Sequence, residues 1–257
     1  VRSEKLGIPT IGSNEYFGYS MACTETDLFV TAYLRNTVFH FSLEGNNWVY
    51  KGEMRPATTP QSGSLFGWSL AVYGNTLAVS APFEDYAGLS DAGAVYLFNR
   101  SNGAWQYTPA QRIASPHNGS GVQLGWRGIS LYGDLLALSH GNTTPDRNGR
   151  FWLYQKSGSD FTLRNTVFSP AASINELFGA SPAISGNHLL AGAPSRSDPI
   201  AAAGTVFFFR SPEMLASNQT ADGYVDVEWR VDASCASFSP PRQVYAQLFD
   251  STRQLEL

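Results

Sequence analysis

The four histidines are the side chains in this sequence best suited to acid–base chemistry or metal binding near neutral pH. They are widely separated in the chain, at His40, His117, His140 and His188. No two have the spacing of a metal-binding pair, and the sequence contains no HExxH, GxSxG, phosphate-loop or dinucleotide motif. Two carboxylates of the kind that glycosidases use could still meet through folding. The sequence therefore predicts no catalytic residue, no metal site and no cofactor, and the chain is expected not to be an enzyme.

The composition limits the kinds of partner that the protein can have. Only 15% of the 257 residues are charged, the net charge is −4, and the lysines and arginines are scattered. A nucleic-acid groove or an anionic membrane surface requires clustered cations, so neither partner is expected. No apolar run approaches the ~20 residues that span a bilayer, so no membrane insertion is expected. Because the chain begins at Val1 and not at methionine, we interpret it as a processed protein or as part of a longer one.

Asparagine sequons indicate a secreted glycoprotein. The Asn-x-Ser/Thr pattern is the acceptor for N-glycosylation in secreted proteins. The sequons lie at Asn99, Asn118, Asn142 and Asn218. These asparagines are the predicted glycosylation sites.

An internal repeat with a period of about fifty residues determines the expected architecture. Each copy begins with an aromatic residue or leucine followed by glycine. A short alternating segment, a tight turn and a strongly apolar strand follow, a pattern that predicts a β-hairpin. The copies are YFGYSMACTETDLFVTAY (16–33), LFGWSLAVYGNTLAVSAP (65–82), QLGWRGISLYGDLLALSH (123–140) and LFGASPAISGNHLLAGAP (177–194).

Two further strands complete each repeat. After a variable loop comes a third apolar strand, such as GAVYLF (93–98), and then a turn and an outer strand. Four antiparallel strands in about fifty residues are typical of one blade of a β-propeller. We therefore predict an all-β fold, a β-propeller of four-stranded antiparallel blades. Four blades are recognisable, and a fifth, incomplete blade is left open.

The same pattern predicts the domain organisation. The propeller is expected to occupy residues 1–233, with the outer strand of a closing blade in residues 1–13. The blades are expected at about 14–56, 63–116, 121–170 and 174–233. Residues 234–257 are interpreted as a degenerate fifth-blade hairpin or as the start of a following domain.

The two cysteines lie far apart, at Cys23 and Cys235, and form neither a metal motif nor a disulfide framework. In the repeat, Cys23 aligns with Val72, Leu131 and Ile184, which are all apolar. We therefore expect Cys23 to be a buried free thiol. A Cys23–Cys235 disulfide that ties the ends together is the alternative.

The repeat resembles the FG-GAP repeat, the blade unit of integrin α-subunit propellers and of many extracellular proteins. The resemblance covers residues 14–210 and is carried by Phe66-Gly67, Ala81-Pro82 and Gly93-Ala94-Val95-Tyr96, and by Phe178-Gly179 with Gly192-Ala193-Pro194. It implies a propeller that acts in recognition or adhesion. Blades of this family often carry a calcium loop between their first two strands. Here that connection is a tight turn, too short for the ligands of a calcium ion.

The loops between the second and third strands vary most among the copies, and binding is expected on such loops of a rigid scaffold. Glu84, Asp85 and Asp91 are read as solvated carboxylates, with a cation site as the alternative. The candidate ligand-binding residues are Phe83, Glu84, Asp85, Tyr86, Asp146, Arg147, Arg196 and Asp198.

These observations predict a non-enzymatic extracellular or cell-surface recognition or adhesion module that binds a protein or a glycan. One alternative is a structural subunit of a larger extracellular assembly or filament, because an unfinished blade exposes strand edges. Other subunits could then complete the propeller. A second alternative is an accessory domain of a hydrolase.

Overall fold

The computed structural model describes residues 6, 8, 11–56, 63–141, 149–169, 176–197 and 204–210. Within them the chain forms β-strands and one short 3-10 helix, Tyr33–Arg35. Residues 3–5 of the predicted closing strand, and all of residues 211–257, lie outside the described residues. The predicted fifth-blade hairpin is therefore outside them too. Leu6 is described, and it is not part of a strand.

The strands form four separate antiparallel sheets. Sheet one consists of β1 (Phe17–Cys23), β2 (Asp27–Ala32), β3 (Thr37–Glu44) and β4 (Asn47–Met54). Sheet two consists of β5 (Leu70–Tyr73), β6 (Thr76–Ala81), β7 (Ala94–Ser101), β8 (Ala104–Trp105) and β9 (Gln111–Ala114). Sheet three consists of β10 (Ile129–Tyr132), β11 (Leu135–Ser139), β12 (Arg150–Ser157) and β13 (Asp160–Phe168). The described strands of sheet four are β14 (Ala180–Ser185), β15 (His188–Ala193) and β16 (Thr205–Arg210).

Each sheet follows the strand order that the repeat predicts. Sequential strands are hydrogen-bonded neighbours, with two-residue hairpin turns at 74–75, 133–134 and 186–187. Sheet two differs at its outer edge, where β8 and β9 both pair with β7. Pro109 lies between these two strands and has no N–H to donate to a ladder, which accounts for the interruption.

Successive sheets pack face to face in chain order. Phe29 and Val38 of sheet one share a buried cluster with Leu77 and Phe98 of sheet two. Equivalent clusters join sheet two to sheet three and sheet three to sheet four. The first strands β1, β5, β10 and β14 are also neighbours in that order. The fold is thus all-β and consists of β-propeller blades, as predicted.

The pairs that begin each repeat, an aromatic residue or leucine followed by glycine and called the aromatic–glycine pairs below, make the contacts between sheets. Phe66 is fully buried, as is Leu124 at the equivalent position of sheet three. A Cβ added to Gly125 would lie 2.6 Å from the Ser80 Cβ of the preceding sheet, and one added to Gly67 would lie 3.2 Å from the Thr31 Cβ. Both glycines also have positive φ, of +80° and +95°. Only glycine fits this close approach, so the recurrence of the pair has a structural cause.

Cys23 is exposed, so the prediction of a buried thiol is wrong. Its repeat equivalents Leu131 and Ile184 are buried because the preceding sheet packs against them. Cys23 lies in sheet one, and no described sheet precedes it. Cys235 lies outside the described residues, so the disulfide alternative stays a prediction.

Replacing Phe66 by alanine tests whether the ring fills the core between two sheets. We expect Phe66→Ala to lower the free energy of unfolding by about 3–5 kcal/mol, because the buried ring leaves a cavity. Chemical denaturation measures this change. Leu163→Ala is the control, since Leu163 is 45% exposed and its loss is expected to have a small effect. A loss within about 0.5 kcal/mol for Phe66→Ala would contradict the packing role.

Candidate recognition surface

A contiguous set of aromatic side chains lies at the end of the sheets that carries the loops between second and third strands. Its spine is made by Tyr19, Trp68 and Trp126, each of which directly follows the glycine of an aromatic–glycine pair. The ring centroids of Tyr19 and Trp68 are 4.7 Å apart, and those of Trp68 and Trp126 are 4.1 Å apart with nearly parallel planes. We call the whole set the aromatic row; its members are Tyr16, Tyr19, Tyr33, Trp68, Phe83 and Trp126.

Loop residues extend and fix the aromatic row. Tyr33, from the loop of sheet one, lies 4.5 Å from Tyr19. Phe83, from the loop of sheet two, packs edge-on against Trp126 at 4.9 Å. The Trp68 indole N–H donates a hydrogen bond to the Trp126 carbonyl oxygen at 2.9 Å. Rings from three successive sheets are therefore held in one arrangement.

The aromatic row is accessible to solvent. Tyr16 is 54% exposed and Tyr19 is 47% exposed, while Trp68, Phe83 and Trp126 are half-buried. Burial, and then the neighbouring Tyr33, raise the pKa of Tyr19, so it remains a neutral phenol near neutral pH. The row therefore presents aromatic faces and hydroxyl groups without charge.

The residue after each glycine has a role that its sequence position alone did not predict. The sequence does show that this residue is aromatic in the first three copies and is alanine, Ala180, in the fourth. What the sequence did not show was its direction. Phe66 is fully buried between sheets, whereas Trp68, two residues later, reaches the surface.

Of the candidate loop residues, Phe83 belongs to the aromatic row but Glu84 is satisfied internally. The Glu84 carboxylate accepts hydrogen bonds from the Arg112 guanidinium at 2.8 and 2.6 Å and from the Tyr96 hydroxyl at 2.7 Å. Burial, together with the Glu84 carboxylate, raises the pKa of Tyr96 to about 12. Glu84 therefore fastens its loop to the sheet.

Asp85 and Tyr86 complete the same loop. The Asp85 carboxylate accepts a hydrogen bond from the Asp91 N–H at 2.8 Å. The Tyr86 ring is 48% exposed and has the Arg112 guanidinium 4.5 Å from its centroid. The loop is thus held at both ends, and Tyr86 is its accessible aromatic residue.

The other candidates are not brought to this loop. Arg196 lies in the corresponding loop of sheet four, where it donates to the Glu176 carboxylate at 3.2 Å and packs over Phe207. Asp146, Arg147 and Asp198 lie outside the described residues. Their role in binding therefore stays a prediction.

Two of the predicted glycosylation sites are described. Asn118 is exposed. Asn99 is half-buried on β7, and its side-chain oxygen accepts a hydrogen bond from the Thr76 hydroxyl at 3.5 Å. Asn142 and Asn218 lie outside the described residues. Asn118 is therefore the described site best placed to accept a glycan.

A buried Asp27–His40 pair at the junction of sheets one and two is the arrangement closest to acid–base machinery. His40 Nε2 lies 2.8 Å from the Asp27 carboxylate, and His40 Nδ1 lies 3.0 Å from the Tyr107 hydroxyl. Burial lowers the pKa of His40 despite the neighbouring carboxylate. Burial would raise the pKa of Asp27, but hydrogen bonds, first from His40, lower it overall. Both ring nitrogens already have partners, which favours a structural role.

His140 is a second buried imidazole, at the end of the second strand of sheet three. It is 5% exposed, and its ring lies 5.5 Å from that of Trp152. Burial, followed by the positive charge of Arg150, lowers its pKa to about 4. The folded protein therefore holds His140 neutral at physiological pH.

Within the described ranges, no group of three or more His, Cys, Asp or Glu side chains is arranged to hold a metal ion. No helix in the same ranges is long and apolar enough to cross a membrane. The arrangement with the clearest capacity for recognition is thus the aromatic row and the loop that contains Phe83.

The described residues define an all-β repeat protein, built of propeller blades with an aromatic, loop-bearing end. Comparison with known proteins agrees with this class. Residues 57–98 match the family model described as FG-GAP repeat. Integrin alpha-11 of Homo sapiens is 32% identical over 108 residues, which cover 39% of this chain and 8% of that protein. The chain therefore carries the FG-GAP repeat, as the sequence resemblance indicated, and spans a small part of the length of integrin alpha-11.

Solved structures are similar in fold. A protein of Bacteroides uniformis assigned as a 6-phosphogluconolactonase has a TM-score of 0.53 at 12% identity, covering 77% of this chain and 51% of that one. A GH32 beta-fructofuranosidase of Bombyx mori covers 78% of this chain and 49% of that one, at 12% identity and a TM-score of 0.39. The first likeness shows the fold alone, and the second is too low to carry an argument.

The pKa of His140 makes a prediction about stability and pH. An unfolded histidine takes up a proton below about pH 6.5, whereas folded His140 resists protonation down to about pH 4. The unfolded state then binds more protons, so the free energy of unfolding falls as the pH drops through this window. His140→Ala restores the residue found in the other copies, and we expect it to remove up to roughly 3 kcal/mol of this dependence.

Urea denaturation of the wild type and His140→Ala at a series of pH values measures this difference. His188→Ala, which removes an exposed imidazole, is the matched control. Equal slopes of the unfolding free energy against pH for the wild type and His140→Ala would contradict the lowered pKa, because they would show that His140 takes up its proton over the same pH range in the folded and unfolded states.

Proposed function

We propose that this protein is a non-enzymatic recognition module of the extracellular or cell-surface kind, and that it binds a protein partner through the end that carries the aromatic row. The aromatic row is the observation that carries the proposal. Six aromatic residues from three sheets form one accessible surface beside a loop that is held in place.

The composition of this surface supports a protein partner. Tryptophan, tyrosine and arginine are the residues that most often dominate binding energy in protein interfaces. Ion pairs connect the two adjacent loops to their surroundings: Arg35 of one loop pairs with Glu15 and Glu53, and Glu84 of the other pairs with Arg112 of β9. An aromatic centre with a polar, partly exposed rim is typical of protein–protein interfaces.

Rigidity of the surface supports the same conclusion. The stacked Trp68 and Trp126, the hydrogen bond between them and the fastened loop with Phe83 fix the rings before any partner arrives. A preorganised surface loses less conformational entropy on binding and so keeps more of its contact energy as affinity. Flat aromatic faces can also stack on sugar rings, so a glycan is the alternative ligand.

The extracellular location rests on relatives and sequence patterns. Integrin alpha-11 shares 32% identity with part of this chain, and the sequons include the exposed Asn118. We propose that the protein is secreted or displayed at a cell surface and is glycosylated there. Integrin-like adhesion is the form of recognition that the similarity favours.

A structural subunit of a larger assembly is the second candidate function, and one observation favours it. Val206 of sheet four is 52% exposed, whereas the equivalent residues Val38, Val95 and Phe151 are fully buried by the next sheet. Among the described residues, the last sheet thus leaves an apolar position uncovered. The mass of the native particle tests this candidate: a particle much larger than the chain's 28.0 kDa supports assembly.

Selection from a random-peptide library displayed on phage tests the recognition proposal. We expect peptides that bind the immobilised wild-type protein to lose at least about tenfold in affinity to the double variant Trp68→Ala/Trp126→Ala, because the rings supply the central contacts. Tyr73→Ala is the matched control, since Tyr73 is 42% exposed, pairs with Tyr132, and lies at the opposite end of its strand pair.

The thermal unfolding of each variant is measured to check that the fold is retained. Selected peptides that bind the double variant as well as the wild type would contradict the proposed surface. Binding to a glycan array without any peptide selection would contradict the protein partner.

A further inference from the structure

Arg127 breaks the repeat at a position where the other copies agree. It directly follows Trp126 of the aromatic row, and the equivalent residues are Ser20, Ser69 and Ser181. Its backbone makes the same contact as the backbones of Ser20 and Ser69. The N–H groups of Ser20, Ser69 and Arg127 each donate to a hydroxyl on the second strand of their own sheet, at 3.0, 3.0 and 2.9 Å. The blade needs the backbone at this position and does not need an arginine side chain.

The Arg127 guanidinium differs from four other half-buried arginines in the partners that the described residues give it. Four other half-buried arginines each lie within 3.5 Å of a carboxylate; these are Arg35, Arg100, Arg112 and Arg196. Among the described residues, no carboxylate pairs with Arg127, and its buried Nε has no hydrogen-bond acceptor. Burial lowers the pKa of Arg127, which reflects a desolvated charge. A partly buried cation without a counter-charge is unfavourable until an anion meets it.

Among the described residues, the charged groups that act on the neighbouring His140 are positive. The charge of Arg150 and, more weakly, those of His117 and Arg127 lower the pKa of the neighbouring His140. Arg127 directly follows Trp126 of the aromatic row and is half-buried, so its charge favours a partner with complementary negative charge there. Arginine binds carboxylates through parallel N–H···O bonds, which add geometric selectivity to the attraction.

We propose that Arg127 receives the carboxylate of an aspartate or glutamate of the protein partner, while an apolar or aromatic residue beside it packs on Trp126. This inference rests on the proposed function and specifies its partner as an acidic segment. Arg127 then sets specificity, and the aromatic row supplies most of the contact area.

The experiment uses peptides selected on the wild-type protein and the variant Arg127→Ser, which restores the residue of the other copies. We expect the selected peptides to be enriched in Asp or Glu next to an apolar or aromatic residue. Arg127→Ser should weaken such a peptide at least about tenfold, and added salt should weaken wild-type binding more than binding to the variant. For the same peptide with Asn or Gln in place of the acid, the wild type and Arg127→Ser should bind equally.

Other results would overturn the inference in distinguishable ways. If Trp68→Ala/Trp126→Ala abolishes binding but Arg127→Ser does not, the acidic contact is wrong and the proposed function stands. If neither variant affects binding, both are wrong. Asp146→Asn and Arg127→Ser can also be combined. If their effects on the free energy of unfolding are not additive and neither changes peptide binding, Arg127 pairs with Asp146 of its own chain, and the inference is wrong. If the wild type binds acidic glycans and not peptides, and Arg127→Ser loses this binding, the proposal that the partner is a protein is wrong.

Discussion

The close approach of backbones at the aromatic–glycine pairs is the constraint on which the rest of the structure depends. The glycine of each pair in sheets two, three and four meets the preceding sheet so closely that a Cβ would collide with it or press against it. Because this contact fixes the spacing of the sheets, the aromatic or leucine side chain before the glycine enters the core between them. The residue after the glycine is at the same time turned toward the surface. One local geometry thus builds the core and orients the aromatic row.

This geometry requires an unusual backbone beside each pair. The residue directly before the pair has positive φ in all four copies, although it is not glycine: Tyr16, Leu65, Gln123 and Leu177. Such conformations cost about 1–3 kcal/mol each and persist only where the surrounding packing enforces them. Tyr16 is also part of the aromatic row, so the packing that stabilises the blades also holds one ring of the row. Rigidity of the surface follows from the way the sheets are joined.

The repeat made much of the fold predictable, and the misses have physical causes. Hairpins, strand order and the burial of Phe66 follow from local patterns that recur four times. The exposure of Cys23 depends on which sheet precedes its own, and that cannot be read from the residue type. The role of Glu84 depends on Arg112, which is 28 residues away in the chain and joins it only in the folded sheet. The aromatic row was missed because positive φ at a residue such as Leu65 is not expected from its type.

Departures from the repeat are the most informative residues for function. Residues that every copy shares serve the packing of blades, so binding specificity must come from those that differ. Phe83 and Arg127 are such departures at the aromatic end, and Ala180 limits the row to three sheets.

Fluorine NMR of protein labelled with 5-fluorotryptophan tests the central claim, that the aromatic end is the binding surface. Each tryptophan gives its own resonance, and single substitutions assign them. On titration with a selected peptide, we expect the resonances of Trp68 and Trp126 to shift while those of Trp48 and the buried Trp152 stay in place. Unchanged resonances of Trp68 and Trp126 at saturating peptide would contradict it, because a ligand seated on the aromatic row cannot leave both rings unperturbed.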